Sequence, residues 1–365
     1  MRTCLSAAVL SLLLLLGAGR ATQGQTAFLC DYTPQQNGLT SLILSGEYHQ
    51  FNSRYLDNRA NVSVGSLLLN GLSWSDGPQW SYNVDGSAQL RFSPAGVALD
   101  PNLRGDGQLR HYLDDRPFVF GGLSTSGFPG QAGLTVSALA GAGLGRFLNV
   151  TPMAKALMAA TILQADGVIT GTPSSDTLTQ LAQLIGRQPT LGLAGVLEEM
   201  EKLIGSSFNV STVLALQGVL SSSVTRFCGW ETSLGLGYEL ITPSGQHHAL
   251  LQARTDYAIS PDPQSRILIS GRGWASLPWT GAHRLGASLD YSRTLSPETD
   301  LSLIYSYTQE QDETGVSSET HMLDAVLRMQ VRAPLSVTSR GHVGWGTGFE
   351  RMESGIDLGF EYSLF

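Results

Sequence analysis

The chain has 365 residues, of which only 14% are charged, whereas soluble globular domains carry about 25%. Its 22 basic and 30 acidic residues give a formal net charge of −8, and the basic residues form no stripe, which excludes a typical nucleic-acid-binding protein. Beyond the N-terminal segment, no stretch holds the run of uncharged apolar residues that a membrane-spanning helix needs, so a helical membrane protein is excluded.

The first residues predict a secretory signal peptide at 1–21. A basic start and an apolar run over 5–16 precede several small residues. The apolar run is too short for a spanning helix, so we expect cleavage after Ala21 or Gly24 and export of the mature chain. The signal holds two arginines and no acid, so its removal leaves 20 basic and 30 acidic residues and a net charge of −10.

Residues 22–150 are interpreted as a first block of β-strands. The clearest strand lies near residue 80, where apolar and polar side chains alternate, as expected for a strand with one apolar face. The apolar side comprises Trp80, Tyr82, Val84, Ala88, Leu90 and Phe92, and the polar side comprises Ser81, Asn83, Asp85, Ser87, Gln89 and Arg91. Further along, the glycine-containing stretch 96–107 predicts a loop.

Residues 151–222 predict a helical insertion between two strand blocks. Thr151 and Pro152 form an N-cap followed by a proline at the first helical position, and apolar residues then recur at helical spacing. Three further helices are predicted to follow. Their apolar stripes favour a self-packed bundle, with a plug inside a barrel as the alternative. The glycines within 141–145 are interpreted as making room for something inside a barrel, and the insertion is one candidate.

Residues 223–365 predict a second, more regular block of strands. About eight strands follow the insertion and six precede it, so fourteen is the preferred total and twelve the alternative. Short and long connections alternate, and short turns face the periplasm in outer-membrane barrels, which places the insertion in the periplasm. The same count brings Cys30 and Cys228 to one mouth of the barrel, where an oxidising compartment favours a disulfide.

Charged residues of the second block share the polar side of their strands and are predicted to line the lumen. They are Glu231, Glu239, Arg254, Asp256, Arg266, Arg272, Arg284, Asp290, Asp324, Arg328, Arg332, Arg340 and His342. As the lining of a water-filled pore, they create a transverse field that tunes ion or solute selectivity. As an internal salt-bridge network, they instead fill a narrow barrel. A barrel of roughly 12 to 14 strands lies between open and filled ones, so both interpretations stand.

The last predicted strand, 354–365, ends the chain on an aromatic residue, Phe365. One of its faces carries Ile356, Leu358, Phe360, Tyr362 and Leu364. Together with the other alternating strands and the interface aromatics, this strand makes the chain resemble the porin-like class of bacterial outer-membrane β-barrels. No specific family is identified. The resemblance implies an all-β transmembrane antiparallel β-barrel in the outer membrane, with membrane lipids and the outer-membrane assembly machinery as partners.

We therefore expect a pore or channel for small polar solutes or ions, whose periplasmic mouth the insertion partly restricts. The alternative is a non-conducting structural or tethering protein whose insertion binds a periplasmic partner. An outer-membrane hydrolase is the least favoured interpretation and would recruit His342 with Ser336 and Arg340. The adjacent His247 and His248 are interpreted as a solvated turn rather than a metal site. No catalytic residue, metal site or cofactor is predicted.

Overall fold

The computed structural model describes residues 29–34, 37–55, 58–92, 102–128, 133–222, 225–243, 245, 247–277, 282–312, 314–332, 335–347 and 353–363. The predicted signal peptide at 1–21 and the terminal Phe365 lie outside these ranges. No helix within the ranges is both long enough and apolar enough to cross a membrane.

Fourteen β-strands form a closed barrel in which each strand pairs antiparallel with its neighbours in sequence. The strands are β1 Asn37–Tyr55, β2 Asn58–Asp76, β3 Trp80–Phe92, β4 Asn102–Tyr112, β5 Pro117–Phe128, β6 Gly133–Asn149, β7 Phe227–Ile241, β8 Ala249–Asp262, β9 Ser265–Leu277, β10 His283–Ser296, β11 Thr299–Gln311, β12 Ser317–Arg332, β13 Leu335–Trp345 and β14 Glu353–Ser363. β1 and β14 close the barrel, with Leu44 opposite Tyr362. Closure leaves no open sheet edge. The predicted total of fourteen strands is confirmed, and the alternative of twelve is wrong.

The alternation of the sequence determines which side chains point out of the barrel. On β7, Leu234 and Leu236 of the outer face are 57% and 61% exposed, whereas Glu231 of the inner face is 4% exposed. The same contrast separates exposed Ile356 from buried Asp357 on β14. A register shift of one residue would exchange the two faces, so the alternation holds each strand in its pairing.

The loop predicted over 96–107 is wrong in its second half, because β4 begins at Asn102. Glycines occupy two outward positions of this strand and obscured the alternation, whose inward positions include Arg104. A Cβ atom on Gly105 would lie 3.2 Å from Cγ2 of Thr125 on β5. Glycine therefore lets the neighbouring strand pack closely at this point.

Four helices connect β6 to β7. They are α1 Thr151–Ala165, α2 Ser175–Gly186, α3 Gln188–Ile204 and α4 Val210–Ser221. Their shared core includes Leu163, Leu181, Met200 and Leu216, all of which are almost fully buried. The helices thus pack on one another, as the apolar stripes of the sequence favoured.

The cap of the first helix differs from the prediction by one residue. Its N-cap is Val150, not Thr151. The backbone nitrogen of Arg226 donates to the Thr151 hydroxyl at 2.8 Å, and the backbone nitrogen of Val150 donates to the Arg226 carbonyl at 2.9 Å. The threonine therefore joins the two ends of the insertion, where they enter and leave the barrel, instead of capping the helix.

A buried lysine joins α1 to α4. Lys155 is 9% exposed, and its Nζ donates to the carbonyl oxygens of Leu220 at 2.8 Å and Ser222 at 2.9 Å. These oxygens lie at the C-terminal end of α4, where carbonyls have no helical partner and a cation is favourable. Burial lowers the pKa of Lys155 to about 8, because the apolar core disfavours its charged form.

Candidate functional site in the barrel lumen

A cavity of about 650 Å³ lies inside the barrel. Every described residue that lines it belongs to strands β3 to β11, so the described part of the helical insertion does not plug this part of the lumen. The charged residues of the lining are Asp85, Arg104, Asp106, Arg254, Arg272, Arg284 and Asp290. Four guanidinium groups and three carboxylates therefore border one space.

Most of the charges predicted for the lumen form ion pairs along the barrel wall. The pairs join Arg254 to Asp256 at 2.5 Å, Arg266 to Asp290 at 2.7 Å, Arg340 to Asp324 at 2.8 Å and Arg328 to Glu361 at 2.6 Å. Nδ1 of His342 lies within hydrogen-bonding distance of Asp357, at 3.2 Å. Glu231 pairs with Arg110 at 2.5 Å, and both side chains are buried. These contacts correspond to the salt-bridge network that the sequence left open as one interpretation.

Arg272 and Arg284 differ from the other arginines of the predicted set. Both line the cavity and are exposed to it. Within the described part of the chain, neither guanidinium group has a carboxylate or hydrogen-bond acceptor in bonding range. Arg272 also lies directly opposite Arg254 in the pairing of β8 with β9, so two positive charges adjoin. This wall of the cavity is therefore positively charged.

The wall formed by β3 and β4 carries acidic side chains. Asp85 lies directly opposite Asp106 in the pairing of these strands. Asp85 is close enough to Arg254 and Arg272 for the charges to interact across the cavity. Arg104 offsets part of the acidic charge, with its Nε at 3.5 Å from Oδ2 of Asp106. The cavity thus has an acidic side and a basic side, an arrangement that produces a field across it.

Two residues of the predicted set, Glu239 and Arg332, belong neither to the side-chain pairs above nor to the described lining of the cavity. Glu239, near the end of β7, accepts a hydrogen bond on Oε2 from the His248 backbone nitrogen at 3.3 Å. Nδ1 of His247 lies 2.8 Å from the Glu239 carbonyl oxygen, and the His247 ring stacks on Tyr238. The adjacent histidines are therefore part of the contacts of a turn. The side chain of Arg332 lies outside what the structure describes.

The residues considered for a hydrolase do not come together. Ser336 and His342 are six residues apart on β13, which separates them by about 20 Å along an extended strand. A nucleophile and its base must lie within hydrogen-bonding distance. His342 instead contacts Asp357 at 3.2 Å, and Arg340 contacts Asp324 at 2.8 Å. The proposed grouping of Ser336, Arg340 and His342 is therefore wrong.

Three aromatic side chains that the sequence analysis did not single out narrow the lumen beside β6. Tyr112, Phe118 and Phe120 are buried together, and the ring centroids of Tyr112 and Phe118 are 5.6 Å apart. A Cβ atom on Gly141 would lie 2.8 Å from Cζ of Phe120. Gly141 and Gly143 therefore make room for these rings, and Gly145 makes room for the β7 backbone at Trp230, which corrects the earlier interpretation that the helical insertion fills this space.

Opposite walls of the barrel touch at the end that carries the helices. The Asn149 side chain on β6 donates to the carbonyl oxygen of Gly38 on β1 at 3.0 Å. Arg146 on β6 pairs with Asp76 on β2 at 2.9 Å. β1 and β6 are five strands apart around the barrel, so these contacts cross the lumen. The barrel is pinched at this mouth, and we call the set of contacts the pinch.

A disulfide lies beside the pinch. Cys30 precedes β1 and Cys228 lies on β7, and the two are bonded with their Cα atoms 5.3 Å apart. The bridge predicted from the sequence is confirmed. Leu29 and Tyr32, which flank Cys30, pack into the core of the helices. The disulfide thus links the segment before β1, the barrel wall and the base of the insertion.

Arg226, which the sequence analysis also missed, fixes the insertion to the rim. Its side chain is almost fully buried, and its Nη2 donates to the carbonyl oxygen of Gln264 at 2.5 Å and to Oγ1 of Thr294 at 2.9 Å. Its Nε donates to the Pro263 carbonyl oxygen at 3.1 Å. The acceptors belong to the β8–β9 turn and to β10, so one side chain joins the exit of the insertion to two hairpins.

No protein-family model matches the chain, and no curated protein is similar to it in sequence. Among solved structures, it is similar to Pseudomonas putida OprB, with 8% identity over 90% of this chain and 94% of that chain, and a TM-score of 0.40. It is also similar to a BenF-like porin from Pseudomonas fluorescens Pf-5, with 10% identity, coverage of 90% and 98%, and a TM-score of 0.38. Pseudomonas aeruginosa OprD gives 8% identity, coverage of 92% and 97%, and a TM-score of 0.36.

Proposed function

We propose that the protein is an integral outer-membrane β-barrel that conducts small polar solutes or ions. The observation that carries the proposal is a cavity of about 650 Å³ inside a closed barrel, whose described lining lies on strands and includes seven charged side chains. Solutes move past the acidic side chains of β3 and β4 and the unpaired Arg272 and Arg284 opposite them. Charged groups along a lumen replace part of a solute's hydration and select it by charge.

The outer face supports a position in a membrane. It carries exposed large apolar side chains on strands around the barrel, such as Trp80, Leu123, Leu236, Ile356 and Leu358. Soluble proteins rarely expose apolar surface of this extent, whereas a transmembrane barrel needs an outward apolar band. The proposed partners are accordingly the outer-membrane lipids and the machinery that assembles barrels into that membrane.

In the proposed topology, the insertion at 151–222 lies in the periplasm. Arg226 contacts the short turn between β8 and β9, and Gly218 of α4 packs near Pro297 in the short turn between β10 and β11. Short turns face the periplasm in outer-membrane barrels. The insertion and the pinch together narrow the periplasmic mouth, so solutes leave along the part of the rim that neither covers.

The test is single-channel recording with the full mature chain refolded into a planar bilayer. We expect discrete current steps, and a variant lacking 151–222 is expected to give larger steps because the mouth is less covered. A chain that is folded, as judged by its heat-dependent migration on a gel, and still gives no steps contradicts the proposal. An unchanged step size in the shortened variant contradicts only the claim that the insertion restricts the mouth, and leaves the pore proposal standing.

The second candidate is a non-conducting tether. It is favoured by Val210 and Leu214 on α4, which lie one turn apart and are 78% and 63% exposed. An apolar pair of this kind on a soluble helical segment fits a protein partner in the periplasm. Folded protein without conductance, combined with loss of partner cross-linking in a Val210→Ser, Leu214→Ser variant, would favour the tether over the pore.

A further inference from the structure

A second cavity, of about 610 Å³, lies outside the barrel, between α1 and the rim of the sheet. Met158 and Thr161 of α1 line one side of it. Ile267 of β9 and Tyr291 and Arg293 of β10 line the other side. The volume is that of a small-molecule site. We call this cavity the rim groove.

The barrel side of the rim groove belongs to the outward face. Tyr291 pairs with Ile267 on β9 and with Leu303 on β11, and all three share the outward parity of their strands. Arg293 lies on the same face, two residues nearer to the end that carries the helices. The groove therefore opens on the side of the barrel that faces lipid in the proposed function, not on the lumen.

Arg293 is the one basic residue among the described residues that line the rim groove. It is exposed, and its neighbours across the pairings are Ser265 on β9 and Leu301 on β11. Within the described part of the chain, no carboxylate or other acceptor bonds to its guanidinium group. An arginine on the lipid face is costly at the midplane of a membrane and tolerated near the interface. Tyr291 marks that interface, because tyrosines gather at the membrane boundary, so Arg293 lies at the level of the headgroups.

Three other polar side chains of the rim groove already have partners. Thr161 and Gln164 donate to carbonyl oxygens of their own segment at 3.0 and 2.6 Å. The carboxylate of Asp262 accepts a hydrogen bond from the backbone of its turn at 2.8 Å. Among the described lining residues, the guanidinium group of Arg293 is the cationic donor, and an anionic group is the ligand that it fits.

We propose that the rim groove binds one phospholipid of the periplasmic leaflet, with its phosphate on Arg293 and an acyl chain along Tyr291 and Ile267. A guanidinium group matches the geometry of a phosphate and bonds to two of its oxygens. The apolar side chains deeper in the membrane match the acyl chain. The bound lipid fills the gap between α1 and the barrel wall, and so supports the insertion on the side that faces the membrane. This inference rests on the membrane position in the proposed function and not on conduction.

The test is native mass spectrometry of the full mature chain, refolded in a phosphate-free detergent and titrated with phosphatidylglycerol. We expect a one-to-one adduct whose affinity falls about tenfold or more in Arg293→Gln, as for the loss of a charge-assisted hydrogen bond. Arg284→Gln is the matched control, because Arg284 lies on the same strand, is equally unpaired among the described residues and faces the lumen. Arg293→Lys keeps the charge and is expected to retain most of the binding.

Three further experiments identify the ligand. Diacylglycerol with the same chains lacks the phosphate and is expected not to bind, and inorganic phosphate is expected not to compete. Thr161→Trp, which fills the groove from the helix side and leaves Arg293 intact, is expected to remove the adduct. The inference is overturned if Arg284→Gln and Arg293→Gln weaken the adduct equally, if diacylglycerol binds as tightly as phosphatidylglycerol, or if wild type forms no adduct. Recording currents from the same preparations separates this result from a failure of the pore proposal, because Arg293→Gln is expected to conduct like wild type.

Discussion

Removing the two unpaired luminal arginines tests the charge selectivity of the proposed pore. In the wild type, the cavity lining holds four arginines and three aspartates. The double variant Arg272→Gln, Arg284→Gln leaves two arginines against three aspartates, so the formal charge of the lining changes from +1 to −1. We expect the channel to lose preference for anions and gain preference for cations.

The size of the effect follows from the charges and the salt. An ion about 5 Å from one guanidinium group interacts with it by about 0.8 kcal/mol in water, and screening in about 0.1 M salt leaves about 0.5 kcal/mol. Two such groups stabilise chloride by about 1 kcal/mol, which corresponds to about a fivefold change in its permeability. In about 1 M salt the screening length falls to about 3 Å, and the change should be less than about twofold.

The assay is the reversal potential in a potassium chloride gradient, measured at low and at high salt. Arg284→Lys keeps the charge and should behave like wild type. Arg293→Gln makes the same substitution on the same strand but on the outer face, and it should leave the potential unchanged. Identical potentials for wild type and the double variant at low salt would refute the electrostatic reasoning. So would a change that persists undiminished at high salt.

Three further predictions concern stability. Lys155 has a folded-state pKa of about 8 against an ordinary 10.5, so between pH 8 and 10 the folded protein has lost a proton that the unfolded chain still binds. The free energy of unfolding should therefore rise by about 2 to 3 kcal/mol over this window, as measured by denaturation followed by helical circular dichroism, and Lys155→Met should abolish the rise. Gly141→Ala forces a Cβ against the β7 backbone at Leu234 and against the Phe120 ring and should cost about 1 to 3 kcal/mol, seen as a lower unfolding temperature on gels, whereas Gly341→Ala, with open space around it, should not. Arg226→Met removes the side-chain donor to the Pro263 and Gln264 carbonyl oxygens, so proteinase K should cut the insertion faster, while Arg187→Met at an exposed site serves as the control.

The barrel could be predicted because its signal is local. Alternation along each strand shows where strands lie, and the order of short and long connections shows how they are arranged. The same count placed Cys30 and Cys228 at one mouth, where the structure has them bonded. The first half of β4 was assigned to a loop because it contains glycines at outward positions, and glycine carries no apolar signal.

The contacts across the barrel could not be predicted, because they depend on register and on the shape of the wall. Phe120 lies against Gly141 only because of how β5 pairs with β6. Arg110 and Glu231 are 121 residues apart in sequence and meet across the lumen. Arg226 stands outside the alternating strands, so the analysis of strand faces did not reach it. The partition of arginines into paired and unpaired groups likewise needs the distances between side chains.

The pinch changes how the number of strands should be used to estimate the size of the pore. The cross-section of a round barrel is a disc whose diameter grows with the number of strands. Here, Asn149 meets Gly38 and Arg146 meets Asp76 across the mouth, and a covalent bond holds the walls nearby. These contacts divide the cross-section at this end, so the strand count overestimates the opening that the proposed pore has there.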